Sequence, residues 1–539
     1  MRRRRSIVGH SSGLLAVLAA AGLTACSGSG STVASMAAKQ PAGRANASFV
    51  MHWPGLHASS GVRRLKYISP ATKSVAIEVN GDATLTKKVD TPVTNGQPQT
   101  STIAFEAPVG DDTITFSLWD QPGATGNELG QATIAVTIAS GKTNTVNATI
   151  DGLIASVDFI PLPNQPTVAS ATDPSGATTY TISGDLPVTF AAAAKDADGN
   201  VIIANGSPIA YSATASTAVF ALSPVAGQAN QFIVRAEQPP AQGAKYAIVA
   251  HATDGQGGLG QSNYRVSLAE LTYIAYENAG AGTIAAFDAS GTRIPLAGAF
   301  PGLKDPVGLA YDGRDHRLYV VDKATGSLLA YQSDGTPVSG YAAPALAGMN
   351  GVALDTHTMT LYVSSSSDAV RAYTVDGAPV ATPGGFPLLA RPVGIFYYDP
   401  ISALFVANAG NNTVSHYGED GSTVGLGPMR RAAYSTGSVV PASIGGDGSG
   451  LFVVGGNDGT SDLLTEFLIT GVPPASGGTT TSGVAAPAGI AYDLSTGDFY
   501  VADNASGNVT VYDRALSGLV KTIAAPSAFS QPTSLTFIF

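Results

Sequence analysis

Cysteine, tryptophan and charge are all scarce in this chain of 539 residues, which has one cysteine, two tryptophans and only 12% Asp, Glu, Lys and Arg. With a single thiol no disulfide can form within the chain, so its stability has to come from packing. Lys and Arg number 28 against 38 acids, a formal net charge of −10. The basic pairs Arg63-Arg64 and Arg430-Arg431 read as solvated surface, and nucleic acid is not an expected partner. Long apolar runs are missing too. Ser12 to Leu23 falls short of the roughly 20 residues that cross a bilayer as a helix. The C-terminal half offers neither helical periodicity nor a Gly-x-Ser-x-Gly turn, which leaves a serine nucleophile unsupported.

What fills the chain is Ala, Ser, Thr and Val, with 63 Gly and 33 Pro. Short strands and tight turns need that composition, and the expected fold class is all-β. In the C-terminal half a unit of roughly 45 residues returns, with short apolar runs between Asp-Gly and Asn-Gly turns. Pro306-Val-Gly-Leu-Ala-Tyr-Asp312 opens one copy. Met349 to Asp355, Pro392 to Tyr398, Pro441 to Asp447 and Pro487 to Asp493 open four more. Second strands follow at Leu318, Leu361, Leu404, Leu451 and Phe499, and third strands end at Tyr331, Tyr373, Tyr417, Phe467 and Tyr512. Ile274 to Phe287 lacks an inner strand before it, and Pro532 to Phe539 is an inner strand with nothing after it. The two ends complete one another, which predicts a six-bladed β-propeller over 271–539, closed by its C-terminal strand. A period of two places Val307, Leu309 and Tyr311 on one side of the inner strand and Gly308 and Ala310 on the other, a pattern of blade-on-blade packing.

Aligning the repeats puts Asn278, Asp322, Ser365, Asn408, Gly455 and Asp503 at one position, on the face where loops enter the inner strands. Oxygen ligands on a rigid rim suit calcium. The competing reading is that each side chain accepts hydrogen bonds from amides of its own loop.

The repeat resembles the six-bladed NHL and YVTN propellers, similar in architecture to gluconolactonase-like hydrolases and streptogramin lyases. Those hydrolases imply a divalent metal held by an inner-strand Glu with Asn and Asp, yet no inner strand here begins with Glu, and Glu277, Glu419 and Glu466 fall elsewhere. The lyases imply His and Glu near the axis, whereas His316 and His357 sit in outer hairpin turns and His416 in a third strand. No catalytic residue is assigned and enzymatic activity is left open. The expectation is a propeller that binds protein or glycan through Asp305, Lys323, Arg391, Asn411, Asn412, Asn457, Asp458 and Asn504, with no cofactor. The alternatives are a calcium- or other metal-dependent hydrolase or lyase using Asp322, Asn408 and Asp503, and a structural envelope spacer.

At the other end, Arg2 to Arg5 form a basic n-region, Ser12 to Leu23 an apolar h-region, and Leu23-Thr-Ala-Cys26 follows. This resembles a bacterial lipobox, which implies a signal peptide over 1–26, lipidation of Cys26 and attachment to the membrane through that lipid. Ser27 in place of Asp implies the outer membrane in a diderm cell. Residues 27–47 read as a flexible Gly, Ser, Ala and Thr-rich tether. Over 48–154, seven alternating runs predict an antiparallel β-sandwich: Ser48 to Trp53, Val62 to Ile68, Ser74 to Val79, Ser101 to Phe105, Asp112 to Trp119, Ala132 to Ile138 and Val146 to Ile150. Tyr67 to Val75 resembles a module of secreted bacterial proteins that carries no activity with it. A second sandwich over 155–270 resembles bacterial immunoglobulin-like domains. Within it Asp196-Ala-Asp-Gly-Asn200 reads as a turn, because Ser207 stands where a calcium loop needs its closing Glu.

Overall fold

A computed structural model describes residues 43–53, 72–92, 99–146, 148–149, 154–174, 176–195, 201–202, 209–239, 244–253, 259–278, 280–424, 433–469, 478–526 and 529–539. Cys26 and the lipobox, the Val62 to Ile68 run and the Asp196 to Asn200 turn lie outside them. The chain is all-β: among the described residues the sole helical element is a 3-10 turn at Asp399–Ile401. No helix there is long and apolar enough to cross a membrane.

Arg44–Trp53 is already a strand, so the expected tether gives way to regular structure four residues early. It pairs with Gln99–Pro108 and Asn144–Val146, and faces a second sheet of Asp82–Asp90, Ser74–Val79, Gly110–Gln121 and Thr125–Ile138. Phe49 and Phe116 meet across the two sheets at 4.8 Å between ring centroids. Two features differ from the expectation. Asp82–Asp90 is an additional strand whose side chains are mostly exposed, and its alternation of Ala83, Leu85 and Val89 is interrupted by Lys87. Ala47–Phe49 runs parallel to Asn144–Val146, so the module is not purely antiparallel; neither the order nor the direction of pairing is encoded in a strand's own pattern. In the second module, Val188–Lys195 pairs with Gln231–Ala236, and Phe159 stacks on Phe190 at 4.9 Å.

Among the described residues from Leu271 onward six sheets follow one another, five of four strands and one of three. Gln531–Ile538 pairs antiparallel with Leu271–Asn278, which joins the two incomplete ends of the repeat array. Each inner strand touches the inner strand of the next repeat, and Gln531–Ile538 touches both Pro487–Asp493 and Pro306–Asp312. Close approach explains the small residues. A Cβ on Gly308 would stand 3.0 Å from the Gly351 Cα, and one on Gly489 would stand 2.8 Å from the Ser534 Cα, so a larger side chain would wedge neighbouring sheets apart. Where a third strand carries a tyrosine, that residue ties the strand to the chain upstream. The hydroxyls of Tyr331, Tyr417 and Tyr512 donate to the carbonyls of Pro301, Pro387 and Ser482, each 30 residues earlier.

A single residue, Glu270, separates the sandwich strand Leu259–Ala269 from Leu271–Asn278. Two buried carboxyl groups pin this junction. Asp185 Oδ2 accepts from Tyr311 Oη at 2.7 Å and Ser333 Oγ at 3.0 Å, and lies 2.8 Å from His316 Nδ1. Glu270 is buried, and that burial, with the neighbouring Asp493 adding to it, pushes the Glu270 carboxyl up to about 9.

Candidate functional site

Five of the six inner strands contain a proline at or next to their first residue. Proline has no N–H to give to a ladder, which suits a strand end or a bulge. Every inner strand does bulge there. Pairing steps from Pro306 to Gly308 on one strand while its partner advances by one residue, and the same shift occurs between Met349 and Gly351, Pro392 and Gly394, Pro441 and Ser443, and Pro487 and Gly489. In Gln531–Ile538 the residue left unpaired is Thr533. Met349 shows that proline is not required, so the device belongs to the repeat's geometry.

A bulge re-aims its extra residue. Val307, Asn350, Val393, Ala442, Ala488 and Thr533 therefore turn together and line one cavity of about 690 Å³. This corrects the simple period of two. Val307 parts from Leu309 and Tyr311 and joins the apolar cluster that holds Ala310. These six positions were missed as site residues, and the proline that precedes most of them is the signal that could have found them.

Asp305, Lys323, Arg391, Asn457 and Asn504 line the same cavity, together with Glu277, Asp462 and Gln531. Asn411, Asn412 and Asp458 do not line it. They build their own turns instead: Asn412 sits at φ 54, Asn411 Oδ1 accepts from Thr413 Oγ1 at 2.7 Å, and Asp458 Oδ1 accepts from the amides of Thr460 and Ser461 at 2.8 and 2.9 Å. Side chains spent on a turn in this way are not aimed at the axis.

The aligned polar position behaves as a set of loop staples. Asp322 Oδ2 accepts from the Lys304 amide at 2.6 Å, Asn408 Oδ1 from the Ala390 amide at 3.1 Å, and Asp503 Oδ1 from the Ala485 amide at 3.2 Å, each 18 residues upstream. Ser365 Oγ donates to the Ala347 carbonyl at 2.6 Å across the same interval. Thr510 Oγ1 also donates to Asp503, whose carboxyl burial pushes up to about 6. The structure thus spreads Asp322, Asn408 and Asp503 over three sheets, each engaged by the loop leading into its own inner strand. Among the described residues no three His, Cys, Asp or Glu converge as metal ligands. His316 faces Asp185 and Glu237 of the second sandwich at the opposite end of its sheet, away from the cavity.

The cavity's charges are unequally occupied. Glu277 Oε1 accepts from the Gly280 amide at 2.7 Å, while the two Asp462 oxygens accept from Asn457 Nδ2 at 2.8 Å and the Ala486 amide at 2.9 Å. Burial raises the Asp305 carboxyl, and Lys323 beside it acts the other way. Among the described residues, the Arg391 and Lys323 side chains have no hydrogen-bond or ion-pair partner.

No family model matches the chain, and no curated protein matches it. One solved structure similar to it is the crystal structure of a nidogen/laminin complex, at 17% identity and TM-score 0.41, covering 50% of this chain and 98% of that one. A likeness that loose carries no argument. What the geometry defines is an all-β protein in which six repeat sheets bring their bulged inner-strand residues to one cavity lined by both apolar and charged side chains.

Proposed function

We propose that residues 271–539 are a closed six-bladed β-propeller of the NHL and YVTN type that binds a protein or glycan at the mouth of its channel. In this reading two sandwich modules carry the propeller, and a lipid on Cys26 holds the protein to the cell envelope, at the outer membrane of a diderm cell. The observation that carries the binding function is the convergence of all six bulge residues and five loop residues chosen from sequence on one cavity of about 690 Å³. Its size falls within the range of roughly 300–1,000 Å³ in which small-ligand sites and side-chain anchors are accommodated.

The test uses the full chain against glycan arrays and a displayed random-peptide library, with Ala488→Trp to fill the mouth. Ligands found with the parent chain should be lost with the variant. Binding that persists beside the indole refutes the site. The anchor is tested separately by palmitate labelling in bacteria expressing the chain, which Cys26→Ser should abolish.

A further inference from the structure

The residue just before an inner strand adopts a left-handed conformation in three repeats: Gly348 at φ 70, Arg391 at φ 47 and Ala486 at φ 52. Glycine enters that region freely, whereas a residue with a Cβ is disfavoured there. Arg391 precedes Pro392, which restricts its backbone further. A carboxylate from the preceding sheet restrains the backbone: Asp368 Oδ1 accepts from the Arg391 amide at 2.5 Å, as Asp462 Oδ2 accepts from the Ala486 amide at 2.9 Å. The fold therefore uses the main chain of this position and asks nothing of its side chain. An arginine held where glycine or alanine serves the other two left-handed repeats points to use of the guanidinium, since tolerated backbone strain clusters at functional positions.

Building on the channel-mouth reading above, we infer that Arg391 and Lys323 form a carboxylate-binding pair, and that the mouth takes an acidic side chain displayed by a protein partner. The acids of the lining favour this assignment, because Asp462 and one Glu277 oxygen are already held by the scaffold, while among the described residues Arg391 has no side-chain hydrogen-bond or ion-pair partner and Lys323 has only the attraction of Asp305. An arginine fork matches a carboxylate with two parallel hydrogen bonds. Glu277, Asp305 and Asp462 outnumber the two cations of the lining, which favours a singly charged anion over a phosphate dianion. Among the described residues no lining side chain is aromatic, so they offer no ring face on which a sugar stacks. That favours protein over acidic glycan.

The experiment selects a displayed random-peptide library on the full chain and measures the affinities of the enriched peptides as synthetic probes. Acidic residues should be enriched at one position, and replacing that residue with its amide should cost about tenfold or more in affinity. Arg391→Gly should do the same while leaving the melting temperature unchanged or higher, because glycine suits φ 47. Arg391→Lys should retain part of the affinity, and Lys323→Ala should weaken binding with a shallower salt dependence. Enriched peptides without an acid, or affinity within about twofold of the parent chain after Arg391→Gly, overturn the assignment. Neutral peptides that Ala488→Trp still blocks would sink the carboxylate pair and leave the binding mouth standing, whereas peptides that neither variant affects would sink both. Uronic-acid oligosaccharides bound through Arg391 in place of peptides would overturn the protein source.

Discussion

Replacing Asp185 should uncouple the sandwich from the repeat sheets. Its side chain is fully buried, and Oδ2 serves Tyr311, His316 and Ser333 together, while Arg235 Nε donates to its main-chain carbonyl at 3.0 Å. Asp185→Ala strands three polar groups at a dry junction. Each stranded group costs about 1–3 kcal/mol, but the losses are not additive, and removing one member of a buried charged set costs about 3–5 kcal/mol in all. Asp185→Asn keeps an oxygen for the same donors and loses only the charge assistance, for about 1–2 kcal/mol. The chain supplies its own reporter, since both tryptophans, Trp53 and Trp119, lie in the first sandwich module and none lies in the repeats. Urea unfolding followed by tryptophan fluorescence reads that module, and near-ultraviolet circular dichroism, dominated by the tyrosines, reads the repeats. The alanine variant should lose stability in the order given and separate the two transitions. A loss under about 1 kcal/mol, or equal losses for Asn and Ala, would refute the account of the junction.

Glu270 gives the junction a pH dependence. Its carboxyl is raised from 4.5 to about 9 in the folded chain, so between those values the native state holds a proton that the unfolded state has released. Stability from this group is therefore full below pH 4.5 and falls as pH rises toward 9, by at most about 1.4 kcal/mol per unit. Glu270→Gln stays uncharged beside Asp493 and cannot titrate, so its stability relative to the parent chain should increase by at least about 1 kcal/mol from pH 6 to pH 9 in chemical denaturation; parallel curves would refute the raised carboxyl. Deleting Pro532 to Phe539 removes the partner of Leu271–Asn278 and should abolish the cooperative unfolding of the whole repeat array, seen as loss of protected amides in hydrogen exchange. Protection retained in the sheets of Pro306–Gln332 and Met349–Val380 would show that they do not depend on it.

Local pattern settled much of this protein. The repeat was legible because each copy carries its own alternation, and most carry an Asp-Gly turn and a third-strand tyrosine, all within one unit. The loop positions Asp305, Lys323, Arg391, Asn457 and Asn504 followed from repeat alignment, because equivalent positions in a repeat share a face. Asn411, Asn412 and Asp458 share the face by alignment and still miss the cavity, since a polar side chain that folds back on its turn looks the same in sequence as one that points outward. For the bulges the inner strand offers only the proline before most of them, because a register slip is itself a relation between two strands. The strand Asp82–Asp90 carries only a broken alternation, Ala83, Leu85 and Val89 with Lys87 between them, and the parallel pairing of Ala47–Phe49 belongs to two segments nearly a hundred residues apart. Sequence by itself thus determined the all-β class, the repeat and the residues available to its loops. Tertiary structure decided which of them meet: Asp185 finds His316 across 131 residues, and six bulges from six sheets open on one cavity, because long-range contact and strand register exist only once the sheets have packed.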